Sequence, residues 1–143
     1  MTPPRLAALP SWLLTQTAAH AHRLVADTFA AQGSRGYHYR LLAALADGGP
    51  ASQAVLGRRT GIDRSDVVAA LNELADQALI ERSPDPDDRR RNTVTITGAG
   101  TARLDHLDEV LTGVQDQLLA PLSPDERATL IRLLTRVLDQ AAP

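Results

Sequence analysis

No cysteine occurs among the 143 residues. Disulfides, thiolate nucleophiles, zinc–thiolate sites and cysteine redox sensing are therefore excluded. Lysine is absent too, since all fifteen basic residues are arginine. That bias fits a GC-rich coding sequence, although the planar guanidinium also suits phosphate and guanine. Aromatic residues make up 3% of the chain, so any place where they gather stands out. There is no uninterrupted apolar run of the roughly 18 residues that a membrane span needs. The opening "MTPPRLAALPSWLLTQ" lacks the charged-then-apolar layout of an export signal, and a cytoplasmic protein is expected. Neither sign of charge dominates. The formal net of −2 predicts no general affinity for nucleic acid, which leaves any such binding to local placement.

What is present is one domain's worth of chain, 43% apolar and long enough to bury a core. Its pattern is mostly helical with one short β interruption. Ser11 to Gln32 carries Leu14, Ala18, Ala21, Val25 and Phe29 at helical spacings, and Gly33 ends that helix. A second helix, about Tyr37 to Ala46, stops at "DGGP". A third begins at Ser52, a good N-cap, and stops at Gly61. Asp63 then caps "DRSDVVAALNELADQAL", whose core face is Val67, Leu71, Leu74 and Ala78. Arg64, Ser65, Val68, Ala69 and Asn72 must point elsewhere. Two such helices joined by the tight "TGI" turn form a helix-turn-helix pattern.

Leu79 to Ser83 and "NTVTIT" read as two short strands, with "PDPDD" between them as turn chemistry. That is a β-hairpin wing. The acidic, proline-rich part makes the turn, Arg89, Arg90 and Arg91 form the tip, and Val94 and Ile96 anchor the returning strand. Such a wing offers arginine to the minor groove of a duplex, where a narrow negative channel favours a guanidinium.

The stretch "DPDDRRRNTVTITGAG" resembles the wing signature of the MarR family of winged-helix transcription factors, with Asp88, Arg90, Thr97 and Gly100 at its positions. "SQAVLGRRTGIDRSDVVAALNELADQALIERS" is similar to that family's helix-turn-helix. The resemblance implies a mainly α protein with a small β-hairpin, in which residues 37–100 form the winged helix-turn-helix and residues 9–33 and 101–143 supply dimerisation helices. It implies that Arg90 enters the minor groove and that Asp88 holds its guanidinium. The other expected DNA contacts are Arg89 and Arg91 at the tip, Arg64, Ser65, Val68 and Asn72 on the second helix, and Ser52, Gln53, Arg58 and Arg59 on the first. Many relatives carry a hydroxyl residue and an arginine where Val68 and Ala69 stand here. Either apolar contact with thymine methyls replaces those polar contacts, or the wing and DNA shape carry more of the recognition. Residues 58–91 hold seven arginines against eight carboxylates (63, 66, 73, 76, 81, 85, 87 and 88). The DNA-binding segment is thus not net basic, and placement must do what bulk charge does not.

The last third predicts self-association. A long helix from Thr97 to Ala120 sets Leu104, Leu107, Leu111, Val114 and Leu118 in a coiled-coil-like seam. "SPDE" restarts a helix through a capping box of Ser123 and Glu126, and its run "LIRLLTRVL" is apolar on more than one face. A homodimer follows, with double-stranded DNA as partner and a palindromic or near-palindromic site as target. By resemblance, a small phenolic or anionic effector enters a cleft between the dimerisation helices and the winged helix. Trp12, His20, Arg23, Tyr37, His38, Tyr39 and Arg40 are the candidate lining.

Catalysis has no sequence support. The four histidines form no metal motif, and neither a phosphate loop nor a nucleophile elbow occurs. His20 and His22 lie two apart on a helix and point some 200° from each other, too far round to share one metal. No metal, cofactor or enzymatic activity is expected. The competing expectation is a winged-helix protein–protein interaction module without sequence-specific DNA binding.

Overall fold

The structure is a computed structural model that describes residues 1–141; Ala142 and Pro143, at the end of the expected C-terminal dimerisation segment, lie outside the described residues. The chain runs α1 (Pro4–Ala7), α2 (Pro10–Ala31), α3 (Gly36–Gly48), β1 (Ala51–Ser52), α4 (Gln53–Thr60), α5 (Arg64–Asp76), β2 (Ile80–Pro84), β3 (Asn92–Ile96), α6 (Gly98–Leu118) and α7 (Pro124–Ala141). Proline opens α1, α2 and α7 at positions where the missing N–H costs nothing. Ser52 caps α4 by accepting from the Val55 N–H at 3.3 Å, and Gly61 ends that helix in the left-handed conformation. Asp63 occupies the cap position of α5 without a side-chain bond to the helix, and Asp66 adds a second negative charge in the first turn.

One core joins α3, α4, α5, the three strands and the start of α6. Leu41, Leu42 and Leu45 of α3 meet Leu56 of α4, Val67, Leu71 and Leu74 of α5, and Val94 of β3. Ala78 departs from the expected face. The helix ends at Asp76, and Ala78 sits exposed at φ 58°. The Leu79 N–H returns to the Leu74 carbonyl and the Ala78 N–H to Ala75, each at 2.9 Å, which is a Schellman turn. That reversal sends Leu79 and Ile80 back into the core. The end of α2 makes the same turn with Gly33 at the left-handed position. Ala78→Gly is therefore expected to raise stability by roughly 0.5–1 kcal/mol, the left-handed penalty less glycine's entropy cost. Urea unfolding checks this, and a lower midpoint refutes it.

The hairpin expected from sequence is one part of a three-stranded antiparallel sheet, order β1-β3-β2. Ala51 pairs with Val94 and Ser52 with Thr93. Ser52 thus both ends a strand and starts α4, which locks the wing to the helix pair. At the other end of β3, Thr97 caps α6 through the Gly100 N–H at 3.0 Å and donates to the Ala78 carbonyl at 2.7 Å.

The seam of α6 turns inward: Leu104, Leu107 and Val114 are buried within the single chain, while Leu111 and Leu118 are half-buried. α6 packs on α2 and α3. The capping box of α7 forms, with Ser123 N–H donating to Glu126 Oε1 at 2.9 Å and Glu126 N–H to Ser123 Oγ at 3.2 Å. Those bonds hold the Glu126 carboxyl below its ordinary value. Yet α7 buries no residue, and Ile131, Val137 and Leu138 are 60%, 60% and 72% exposed. The first half of α2 is similarly bare at Leu13 and Leu14.

Candidate nucleic-acid interface

The wing tip, residues 85–91, is organised by two aspartates. Asp85 accepts from the Asp87 N–H at 2.9 Å, and its own N–H donates to the Arg91 carbonyl at 2.8 Å, closing the loop. Asp88 accepts from the Arg90 N–H at 3.0 Å through Oδ1. The same carboxylate lies 3.5 Å from Arg90 Nε and 3.7 Å from Arg91 Nε. Short aspartate side chains make such turns because they bond backbone two residues on. Because Asp88 takes Nε, both terminal nitrogens of Arg90 stay free, on a side chain 93% exposed.

Between the tip and α5 lies a concavity of about 750 Å³. Its walls include Ser52, Gln53 and Arg58 of α4 and its cap, Arg64, Val68 and Asn72 of α5, and Arg90 and Arg91 of the tip. Arg82, on β2, and Asn92, on β3, complete it, and neither stood out in the sequence. Five arginines (Arg58, Arg64, Arg82, Arg90 and Arg91) line this space, and no carboxylate among the described residues does. The eight acidic residues of the segment all lie outside its lining. Asp88 pairs with Arg90 and Arg91 from behind the tip and offsets part of their charge, whereas Arg58, Arg64 and Arg82 have no carboxylate within 4 Å among the described residues, so local sorting favours an anion here despite the net charge.

Four expected contacts fall outside the concavity. Arg59 lies over Gly48 and its Nη1 donates to the Gly49 carbonyl at 3.4 Å, so it braces the end of α3. Ser65 and Arg89 are exposed beside the lining rather than in it. Asp88 serves the tip from within.

A neighbouring face of α5 is held by Glu73. One oxygen accepts from Arg35 Nη2 at 2.7 Å, and the other lies 2.6 Å from His38 Nε2. His38 is 4% exposed and touches Ser34 Oγ at 3.5 Å on its other nitrogen. It is a buried strut between α3 and α5, not a group facing a ligand.

A second cavity, about 390 Å³, opens among α2, α3 and α6. Phe29, Tyr37, Tyr39 and Leu111 form its apolar wall, and His22, Arg35 and Arg40 its basic one. Of the lining expected from sequence, Tyr37, Tyr39 and Arg40 are there, whereas Trp12, His20, Arg23 and His38 are not. Helical phase explains the swap of His22 for His20, since residues two apart face different ways. Tyr39 donates to Asp108 at 2.6 Å. That bond, with partial burial and the neighbouring charge, pushes the phenol up to about 12. Arg40 stacks over Tyr37 at 5.5 Å and reaches the Thr60 carbonyl at the end of α4.

A helix pair and a β-wing around one arginine-lined concavity define a winged-helix protein. The MarR family's sequence profile matches residues 33–91. The chain is 34% identical over 98 residues to the transcriptional repressor NicR of Pseudomonas putida, an alignment covering 68% of this chain and 62% of NicR. A relative from Thauera aromatica is likewise covered over 61% of its length, so the chain spans about three fifths of these relatives. Among solved structures, the PcaV transcriptional regulator of Streptomyces coelicolor in complex with its natural ligand superposes with a TM-score of 0.79 at 30% identity, over 99% of this chain and 100% of that one. BpsR of Bordetella bronchiseptica, whose DNA binding is regulated by 6-hydroxynicotinic acid, superposes with a TM-score of 0.81 at 25% identity, over 96% of this chain and 99% of that one. The chain belongs to the MarR family.

Proposed function

We propose that the protein is a cytoplasmic, homodimeric transcriptional repressor that grips a palindromic or near-palindromic duplex site and lets go when a small anionic or phenolic molecule binds. The observation that carries the reading is the carboxylate-free concavity lined by five arginines, in a chain of net charge −2. α5 enters the major groove with Arg64, Val68 and Asn72, while Arg90 enters the adjacent minor groove. Val68, an exposed apolar residue of α5, meets a thymine methyl. The bare faces of α7 and of the first half of α2 are covered by a second copy. Two-fold symmetry then sets the recognition helices roughly 34–36 Å apart, one turn of duplex.

Selection of bound fragments from random duplex tests this reading. A symmetric consensus is expected, and log affinity should fall with log salt at a slope of roughly −0.9 per phosphate neutralised. Retention of a protein partner, with no duplex enriched and no salt dependence, would favour the interaction-module alternative.

Release would run through the second cavity. Its size suits a single-ring aromatic acid, and NicR and BpsR are relatives with repressor and 6-hydroxynicotinic-acid-regulated activity respectively. Arg35 and Arg40 line it while also bonding Glu73 of α5 and Thr60 of α4. A carboxylate that draws these guanidiniums away loosens both DNA-reading helices, by no more than its differential affinity for the loosened state. With 6-hydroxynicotinic acid as probe, operator affinity is expected to fall about tenfold, within the usual range of coupling. Arg40→Ala, which also loses the Thr60 bond, should bind the operator more weakly from the outset and show no further fall with the probe. An unchanged response in that variant sinks the assignment of Arg40.

A further inference from the structure

From the geometry we infer that Arg82 is a specificity-setting positioning residue: it engages the Asn72 side-chain oxygen and turns the amide so that the recognition helix offers a donor rather than a donor–acceptor pair. The inference rests on the DNA-binding reading above and deepens it. Arg82 Nη2 donates to Asn72 Oδ1 at 2.8 Å, bridging β2 and α5 across the floor of the concavity. The orientation of the amide is dictated by chemistry. A guanidinium has only N–H groups, so the asparagine atom facing it must be the oxygen, and the NH₂ is the end left free.

Asparagine usually reads adenine with both ends at once, its oxygen accepting from N6 and its nitrogen donating to N7. An oxygen already polarised by a cation is a poorer acceptor for that amine, and its plane is set by Arg82 rather than by the base. The joined pair presents donors: the amide NH₂ and the unused guanidinium N–H groups. Guanine, whose major-groove edge carries the acceptors N7 and O6, is the base that fits such a surface. Both side chains are exposed in the free protein, where water competes with the bond; docking on DNA excludes that water and strengthens it.

The test is selection from duplexes with a randomised core, using the full chain and the variants Arg82→Ala, Arg82→Lys and Asn72→Ala. The wild-type protein should enrich guanine at one step of each half-site, and Asn72→Ala should flatten that same step. Arg82→Ala should shift it from guanine towards adenine by about tenfold, the usual worth of one bidentate base contact. Arg82→Lys should keep guanine, since an ammonium still donates to Oδ1. The assignment is overturned if Arg82→Ala lowers affinity equally for every sequence, as loss of a phosphate contact would, or if Asn72→Ala leaves every step unchanged. If the wild-type protein enriches nothing, the DNA-binding reading fails and this inference with it, an outcome distinct from an enriched but unaltered profile.

Discussion

Arg90→Ala is expected to lower affinity for the selected duplex roughly 10³-fold, taking about 2 kcal/mol for a groove-inserted arginine and counting it once per wing of a dimer. Folding stability should not change, because the side chain is 93% exposed and its one close partner is Asp88 at 3.5 Å. A titration by fluorescence anisotropy, paired with a thermal melt, separates the two effects. Arg89→Ala is the internal comparison. Its residue shares the tip but not the concavity, so a loss limited to a few-fold is expected from one exposed phosphate-reaching charge. Equal losses in both variants would mean that the tip acts as diffuse positive charge and that Arg90 has no particular place.

The second large effect falls on folding. A Cβ at Gly100 would run into the Leu79 carbonyl oxygen and come within 2.7 Å of Ile96 Cγ1. The obstacle is backbone, held by the Thr97 N–H at 3.1 Å and by the Thr97 hydroxyl on Ala78, so neither side can yield without parting α6 from the root of the wing. Gly100→Ala should cost roughly 3 kcal/mol, the upper range for forced overpacking, and lower Tm by about 10 °C. Gly113→Ala on the same helix has open space around its Cβ and should gain up to about 1 kcal/mol in helix propensity. If the two substitutions behaved alike, the close approach at Gly100 would not be the reason for that glycine.

These two positions also mark how far the chain can be read without coordinates. Thr97 and Gly100 stood out through the resemblance to a family signature, whereas Ser52, Gly61 and the Ser123–Glu126 box stood out as helix ends because capping is a matter of a few neighbouring residues. The acidic turn, the arginine tip and the returning strand were equally legible, since turn chemistry is local. The two-residue β1 was not, having no periodicity to betray it. Its pairing with β3 is what fixes the wing against α4 and α5.

The composition of the arginine-lined space depended on that pairing. Seven arginines and eight carboxylates are interspersed along residues 58–91, and no local rule says which will face the same way. The fold brings Arg58, Arg64, Arg82, Arg90 and Arg91 around one space, diverts Arg59 to Gly49 and hides His38 behind Glu73. Helix and turn signals are short-range properties of covalent neighbours, whereas an electrostatic site is a sum over residues brought together from distant parts of the chain, and only packing defines that sum.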